Sequence, residues 1–340
     1  MTSKPAIKKI TVIGNGGWGT TLAILLHKKG YKVTLWGSNP TYAEFLKEKR
    51  ENTKFLEGIP IPSGIEITSN ISNELTDAHL IVSATPTPYL RSTLLKFKDI
   101  TTNKIPIVSV TKGIENDTLM RPSEIITNVL GNRTISVLLG PSHAEEVARG
   151  LPTTIVASSK DAKLARIVQD VFTTDRFRVY TNPDMVGVEL GAAMKNVIAI
   201  ASGVCDGLKF GDNSKAALIT RGLTEISRLG VAMGAQRSTF SGLTGLGDLI
   251  TTCISPYGRN RWVGEQIGKG RKLQGILEGM EQIAEGVWTT KSVVALSNKL
   301  KVEMPITKEI YNILFADKNP LEAVSTLMMR TPRSEVEELF

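Results

Sequence analysis

The chain has 340 residues, beyond the length at which a single hydrophobic core usually stops growing, so two domains are expected. At 41% hydrophobic and 22% charged residues it lies near ordinary globular values, which excludes a largely disordered chain. Its 41 Lys and Arg against 33 Asp and Glu leave a net charge of +8, but the basic residues are scattered and only 6% of residues are aromatic, so small phosphates fit this balance better than a nucleic acid.

Residues 9–14 form a short β-branched apolar run that ends in a glycine cluster, and residues 20–28 follow with the composition of a helix. Residues 31–36 (YKVTLW), 80–84 (LIVSA) and 107–111 (IVSVT) read as further strands, with 135–139 and 153–157 as candidates to extend the same sheet. Strands alternating with helical or loop segments predict a parallel, doubly wound α/β sheet of the Rossmann kind. From about Val186 the pattern changes to long stretches at helical spacing. The first of them, residues 187–202 (GVELGAAMKNVIAIAS), is small and apolar nearly all round and so is expected inside the protein. The junction is placed near Gly187, giving a dinucleotide-binding domain over residues 1–187 and an all-α substrate and catalytic domain over 188–340, facing a shared cleft.

Cys205 and Cys253 are the only cysteines, too few for a disulfide framework and without the spacing of a zinc site, so no metal is expected and a reducing cytoplasm is the simple reading. The lysines ahead of Ile10 imitate a signal peptide, but Gly14, Gly16, Gly17 and Gly19 interrupt the apolar run. No uncharged apolar run reaches the length of a membrane span, so stable membrane insertion is not expected.

Gly14-Asn15-Gly16-Gly17-Trp18-Gly19 matches G-x-G-x-x-G between a strand and a helix. In that context Gly14 permits the tight turn, Gly16 lets backbone amides approach a pyrophosphate, and Gly19 allows helix and strand to pack closely. The end of the second strand carries Trp36, Gly37, Ser38 and Asn39, with neither an acidic residue for a ribose 2′-hydroxyl nor an Arg for a 2′-phosphate, so NAD and NADP both remain open as cofactor.

His27, His79 and His143 are the only histidines, and each has a structural reading. Lys195 is the stronger acid/base candidate, because it stands alone in a helix that is otherwise small and apolar from Leu190 to Ser202, where desolvation favours the neutral amine. Asn196 adjoins it. The glycine-rich segment 241–248 ends in Asp248, a carboxylate among neutral residues, and pairing it with Lys195 would offset two burial penalties at once. Gly258-Arg259-Asn260-Arg261 follows and suits a phosphate grip.

Taken together these residues resemble the bacterial-type NAD(P)-dependent glycerol-3-phosphate dehydrogenases along essentially the whole chain. The likeness rests on GNGGWGTTLA, SVTKGIE, GPSHAEEVARG, the run beginning ELGAAMKNVIAIASGVCDGLKFGDN, TGLGDLITTC, and the ending MPITKEIYNIL with PLEAVSTLMMR. The resemblance implies interconversion of glycerol 3-phosphate and dihydroxyacetone phosphate, supplying phospholipid synthesis in the cytoplasm, with Lys195 as the proton acceptor for the C2 hydroxyl. It implies Asp248, Lys112 and Asn196 beside it in the catalytic set. Lys112, Gly140, Ser142, Asp248, Gly258, Arg259 and Asn260 match substrate positions, with Arg259 and Asn260 at the phosphate. Gly17, Trp18, Lys112, Ala144, Arg259, Ile283 and Glu285 match cofactor positions, to which the region of Ser38 is added. Three departures stand out: Ser38 replaces a common basic residue, Gly258 a common serine and His143 a common Phe. The oligomeric state is left open, a homodimer being one arrangement the resemblance allows. Read from the residues alone, the constellation also fits a 3-hydroxyacid or 6-phosphogluconate dehydrogenase, or a non-catalytic NAD(P)H sensor.

Overall fold

The computed structural model describes residues 7–70, 77–98, 105–280, 283–332 and 334–335. Its contacts divide the chain into two units, Met1–Lys112 with Pro122–Met185, and Gly113–Arg121 with Val186–Phe340.

The first unit is built on an eight-stranded sheet. Numbered along the chain, its strands are Lys9–Ile13, Lys32–Trp36, Glu66–Thr68, Leu80–Ser83, Ile107–Ser109, Ile135–Leu139, Thr153–Ser159 and Phe177–Asn182, and their order in space is 3-2-1-4-5-6-7-8. That is the doubly wound order, with the direction of winding reversing between Lys9–Ile13 and Leu80–Ser83. The central strands are buried at nearly every position, which is why their sequences are continuous apolar runs rather than alternating ones.

The sheet departs from a purely parallel one at its far edge. Thr153–Ser159 runs antiparallel to Ile135–Leu139, pairing Leu139 with Val156, and Phe177–Asn182 then runs parallel to Thr153–Ser159. The connection over residues 140–152 contains only the five-residue helix Ala144–Ala148, too short a crossover to carry the chain back for a parallel return. A separate hairpin pairs Glu51–Asn52 with Leu56–Pro60.

The second unit is helical around one 23-residue helix, Met185–Gly207. This helix is long and apolar enough to cross a membrane by length and composition, yet 94% of its most apolar window is buried inside the protein. It is a core helix. Its partner Arg259–Gly268 approaches it backbone to backbone: a Cβ on Gly203 would run into the Arg261 carbonyl oxygen, and one on Gly264 into that of Ile200. Segment Gly113–Arg121 is held in the same unit, because the buried Arg121 guanidinium pairs with the Glu189 carboxylate and Ser292 Oγ donates to the Ile114 carbonyl at 3.0 Å.

A second buried carboxylate caps helix Pro305–Phe315. Glu225 accepts from the Ile306 and Thr307 amides at 2.6 and 3.1 Å and from the Thr307 hydroxyl at 2.9 Å. Burial outweighs these bonds and the nearby Arg228 and pushes its carboxyl up to about 7.

Two stability predictions follow from this packing. Gly264→Ala should destabilise the protein by about 1–3 kcal/mol in urea unfolding, the backbone clash exceeding the better helix propensity of alanine. Gly275→Ala is the control, since nothing lies within 4 Å of its Cβ position, and it should be neutral or stabilising. For Glu225, the native state binds more protons than the unfolded state between the ordinary value of 4.5 and about 7. Stability should therefore fall as pH rises through that window, by up to roughly 3 kcal/mol relative to Glu225→Gln, whose unfolding should be flatter across the same pH range.

Candidate active site

The glycine turn sits at the carboxyl end of Lys9–Ile13 and opens helix Gly17–Lys28. Gly14 takes φ +114°, and a Cβ there would lie 2.7 Å from the Ala84 carbonyl oxygen, so both its conformation and its surroundings call for glycine. A Cβ on Gly19 would meet the Gly14 carbonyl, which is the close helix-on-strand packing expected of this position. Gly16 faces open space and caps the helix without any side-chain bond to its first amides. These features fit a pyrophosphate, whose charge the helix N-terminus favours.

Three further candidates converge within the same unit. Lys112 Nζ and Ser142 Oγ both donate to the Gly140 carbonyl, each at 3.0 Å, and Gly140 itself has φ +145°. Ala144 begins the short helix after them, and its carbonyl accepts from Thr21 Oγ1 on the first helix at 3.2 Å. Trp18 packs against Phe177 with ring centroids 6.4 Å apart. Ser38 is exposed just beyond the second strand.

In the helical unit, Lys195 and Asp248 form a buried ion pair, their side chains 6% and 1% exposed. The lysine comes from the core helix, and the carboxylate from the first residue of Asp248–Ile254, which follows a π-helical turn at Leu243–Gly247. Thr252, one turn further along, accepts a second bond from Lys195 Nζ, so positions four apart on one helix hold the amine together. The adjoining Cys253 is buried and its thiol is pushed up to about 12 by that burial, which keeps it neutral beside the ion pair.

The segment after this helix is tied down from two sides. Gly258 precedes helix Arg259–Gly268 with no side-chain cap, leaving Arg259 exposed and Asn260 buried. Asn260 Oδ1 accepts from the Gly286 amide at 2.9 Å, and a Cβ on Gly286 would lie 2.6 Å from the Asn196 carbonyl. Asn196, Asn260 and Gly286 therefore meet. Ile283 is half-buried just ahead of helix Glu285–Leu300, of which Glu285 is the first residue.

Models of the NAD-dependent glycerol-3-phosphate dehydrogenase N-terminus and C-terminus match residues 9–165 and 184–325. The chain belongs to that family. Glycerol-3-phosphate dehydrogenase [NAD(P)+] of Prosthecochloris aestuarii is 51% identical over 96% of this chain and 99% of its own, and that of Fusobacterium nucleatum 47% identical over 97% and 99%. The crystal structure of glycerol-3-phosphate dehydrogenase from Coxiella burnetii superposes with a TM-score of 0.92 at 36% identity, covering 95% of this chain and 99% of that one. The Rossmann-type sheet and the helical C-terminal unit are thus those of a glycerol-3-phosphate dehydrogenase family member.

Two contributors escaped the reading of the sequence. Thr252 had a faint signal, its i,i+4 spacing from Asp248. Asn52 had none: on the two-residue strand of the hairpin, it donates to the Asn15 carbonyl at 3.0 Å and to Thr20 Oγ1 at 2.7 Å, bracing the glycine turn from outside the motif. Among the histidines, His79 accepts the Lys9 amide at 3.3 Å, a structural bond at a strand end.

Removing one member of the buried pair should be costly. Asp248→Ala, which strands the Lys195 ammonium, should lower unfolding stability by about 3–5 kcal/mol, while Lys195→Met combined with Asp248→Leu should recover most of that loss without restoring turnover. Chemical denaturation of the two variants side by side checks this.

Proposed function

We infer that this protein interconverts sn-glycerol 3-phosphate and dihydroxyacetone phosphate with NAD(P), in the cytoplasm, as a source of glycerol 3-phosphate for phospholipid synthesis. The observation that carries the reading is the Lys195–Asp248–Thr252 constellation, in a chain whose other unit carries a pyrophosphate-fitted glycine turn.

In this reading Gly14, Gly16, Gly17, Trp18 and Gly19 hold the dinucleotide, with Ser38 near the adenosine ribose and Ala144, Ile283 and Glu285 as further contacts. A nicotinamide bound there would supply or accept the hydride. Lys195, as the ammonium, donates a proton to the C2 oxygen of dihydroxyacetone phosphate as the hydride arrives at C2. In the oxidative direction its neutral amine takes the hydroxyl proton while the hydride leaves. Asp248 and Thr252 hold Nζ in one position, so the charge developing on oxygen meets an already oriented donor. Lys112, Gly140, Ser142 and Asn196 orient the triose. Arg259 and Asn260 grip the phosphate, aided by the uncapped amides at the start of their helix, and Gly258 contributes only backbone.

The alternatives differ in substrate. Oxidation of NADH and NADPH should be followed in parallel with dihydroxyacetone phosphate, together with NAD(P) reduction by 3-hydroxyacids and by 6-phosphogluconate. Turnover is expected with dihydroxyacetone phosphate. Activity confined to the other substrates, or cofactor binding with no hydride transferred to any phosphorylated triose, would overturn the assignment.

A further inference from the structure

Asp206 sits in the last turn of helix Met185–Gly207, and Arg261 in the first turn of helix Arg259–Gly268. Each charge stands at the end of its own helix where the dipole disfavours it, and the contact Arg261 makes within its helix, Nη1 to Glu265, is long at 3.9 Å. They meet each other instead. Arg261 Nε lies 2.7 Å from Asp206 Oδ2, and Lys215 Nζ pairs with Oδ1. The Arg261 N–H does not point along the contact, which makes the attraction Coulombic rather than a directed hydrogen bond. All three side chains are only 16–21% exposed, so solvent screens them less than it screens a surface pair.

The placement of the pair gives it a consequence. Arg261 shares a helical turn with Arg259 and Asn260. On this turn Asn260 is already fixed by the Gly286 amide, and the Arg261 carbonyl lies against Gly203 with no room for a Cβ. Backbone packing at Gly203, Gly207, Gly264 and Gly268 sets how near the two helices come, and the charge contact beside these side-chain-free positions adds a fixed point against rotation of one helix on the other.

We propose that Asp206 is a positioning residue for the substrate phosphate: by holding Arg261 it fixes the rotation of the helix whose first residues, Arg259 and Asn260, grip that phosphate. The proposal rests on the phosphate role of Arg259 and Asn260 given above. It assigns Asp206 no contact with the substrate.

The test compares dihydroxyacetone phosphate with dihydroxyacetone, which lacks the phosphate, as substrates of Asp206→Asn. The variant should lose about tenfold in kcat/KM on the phosphorylated substrate, through KM, with kcat and the KM for NADH within about twofold. Its slow turnover of dihydroxyacetone should be unchanged. Arg261→Met should behave the same way, the double variant should be no worse than either single one, and Asp206→Glu should recover most of the loss. A thermally stable Asp206→Asn with wild-type KM for the phosphorylated substrate would overturn the proposal. So would a parallel fall in activity on both substrates, which marks a merely structural role. Arg259→Met separates the layers: if it keeps the full preference for the phosphorylated substrate, the reading of the phosphate grip fails, whatever Asp206 does.

Discussion

The helical unit is organised around one ammonium kept out of water. Lys195 lies within an apolar 23-residue helix, and its charge is tolerable there because Asp248 and Thr252 supply oxygen ligands from a neighbouring helix. Either charge alone would cost several kcal/mol at that depth. Much of the helical unit can be understood as scaffolding for this pair. The π-helical turn brings Asp248 to the start of a helix, and the glycine contacts let Arg259–Gly268 lie directly against the helix that carries the lysine. Such a pair contributes little net stability. In the function we propose, what it contributes is a proton donor whose direction is set before substrate arrives.

The sheet unit solves a different problem, that of binding a large anion with few charges. In the proposed function the backbone amides at the start of helix Gly17–Lys28 carry the task, and glycines remove side chains where the turn, the helix and the hairpin crowd together. Lys112 is directed to the Gly140 carbonyl, and Thr87 donates to the Lys112 carbonyl at 2.8 Å, so this cation is held in place from both backbone and side chain.

Most of the architecture was legible in the sequence because its signals are strong and local. Continuous β-branched runs marked the buried strands, and the glycine turn stood where a strand gives way to a helix. Phe177–Asn182 went unread although its first four residues alternate buried and exposed, because it lies outside the region where strand and helix alternate plainly. Glu66–Thr68 is three residues long and carries no usable period. The reversal at Thr153–Ser159 depends on what a short connection can span, which no strand sequence reveals. In the site, Lys195 and Asp248 were legible as charges that an apolar context makes expensive. Thr252 and Asn52 were not, since a neutral side chain at an ordinary position becomes informative only when its partner is known. The Arg121–Glu189 pair and the membership of Gly113–Arg121 in the helical unit are likewise products of tertiary folding.

The most direct test of this account is the rate of hydride transfer in a single turnover by Lys195→Met, with dihydroxyacetone phosphate and reduced cofactor both saturating. A buried, pre-oriented proton donor predicts a fall of at least about a thousandfold while the cofactor dissociation constant stays within a few-fold of wild type. Hydride transfer at the wild-type rate would show that the proton comes from elsewhere and that the buried pair is only structural.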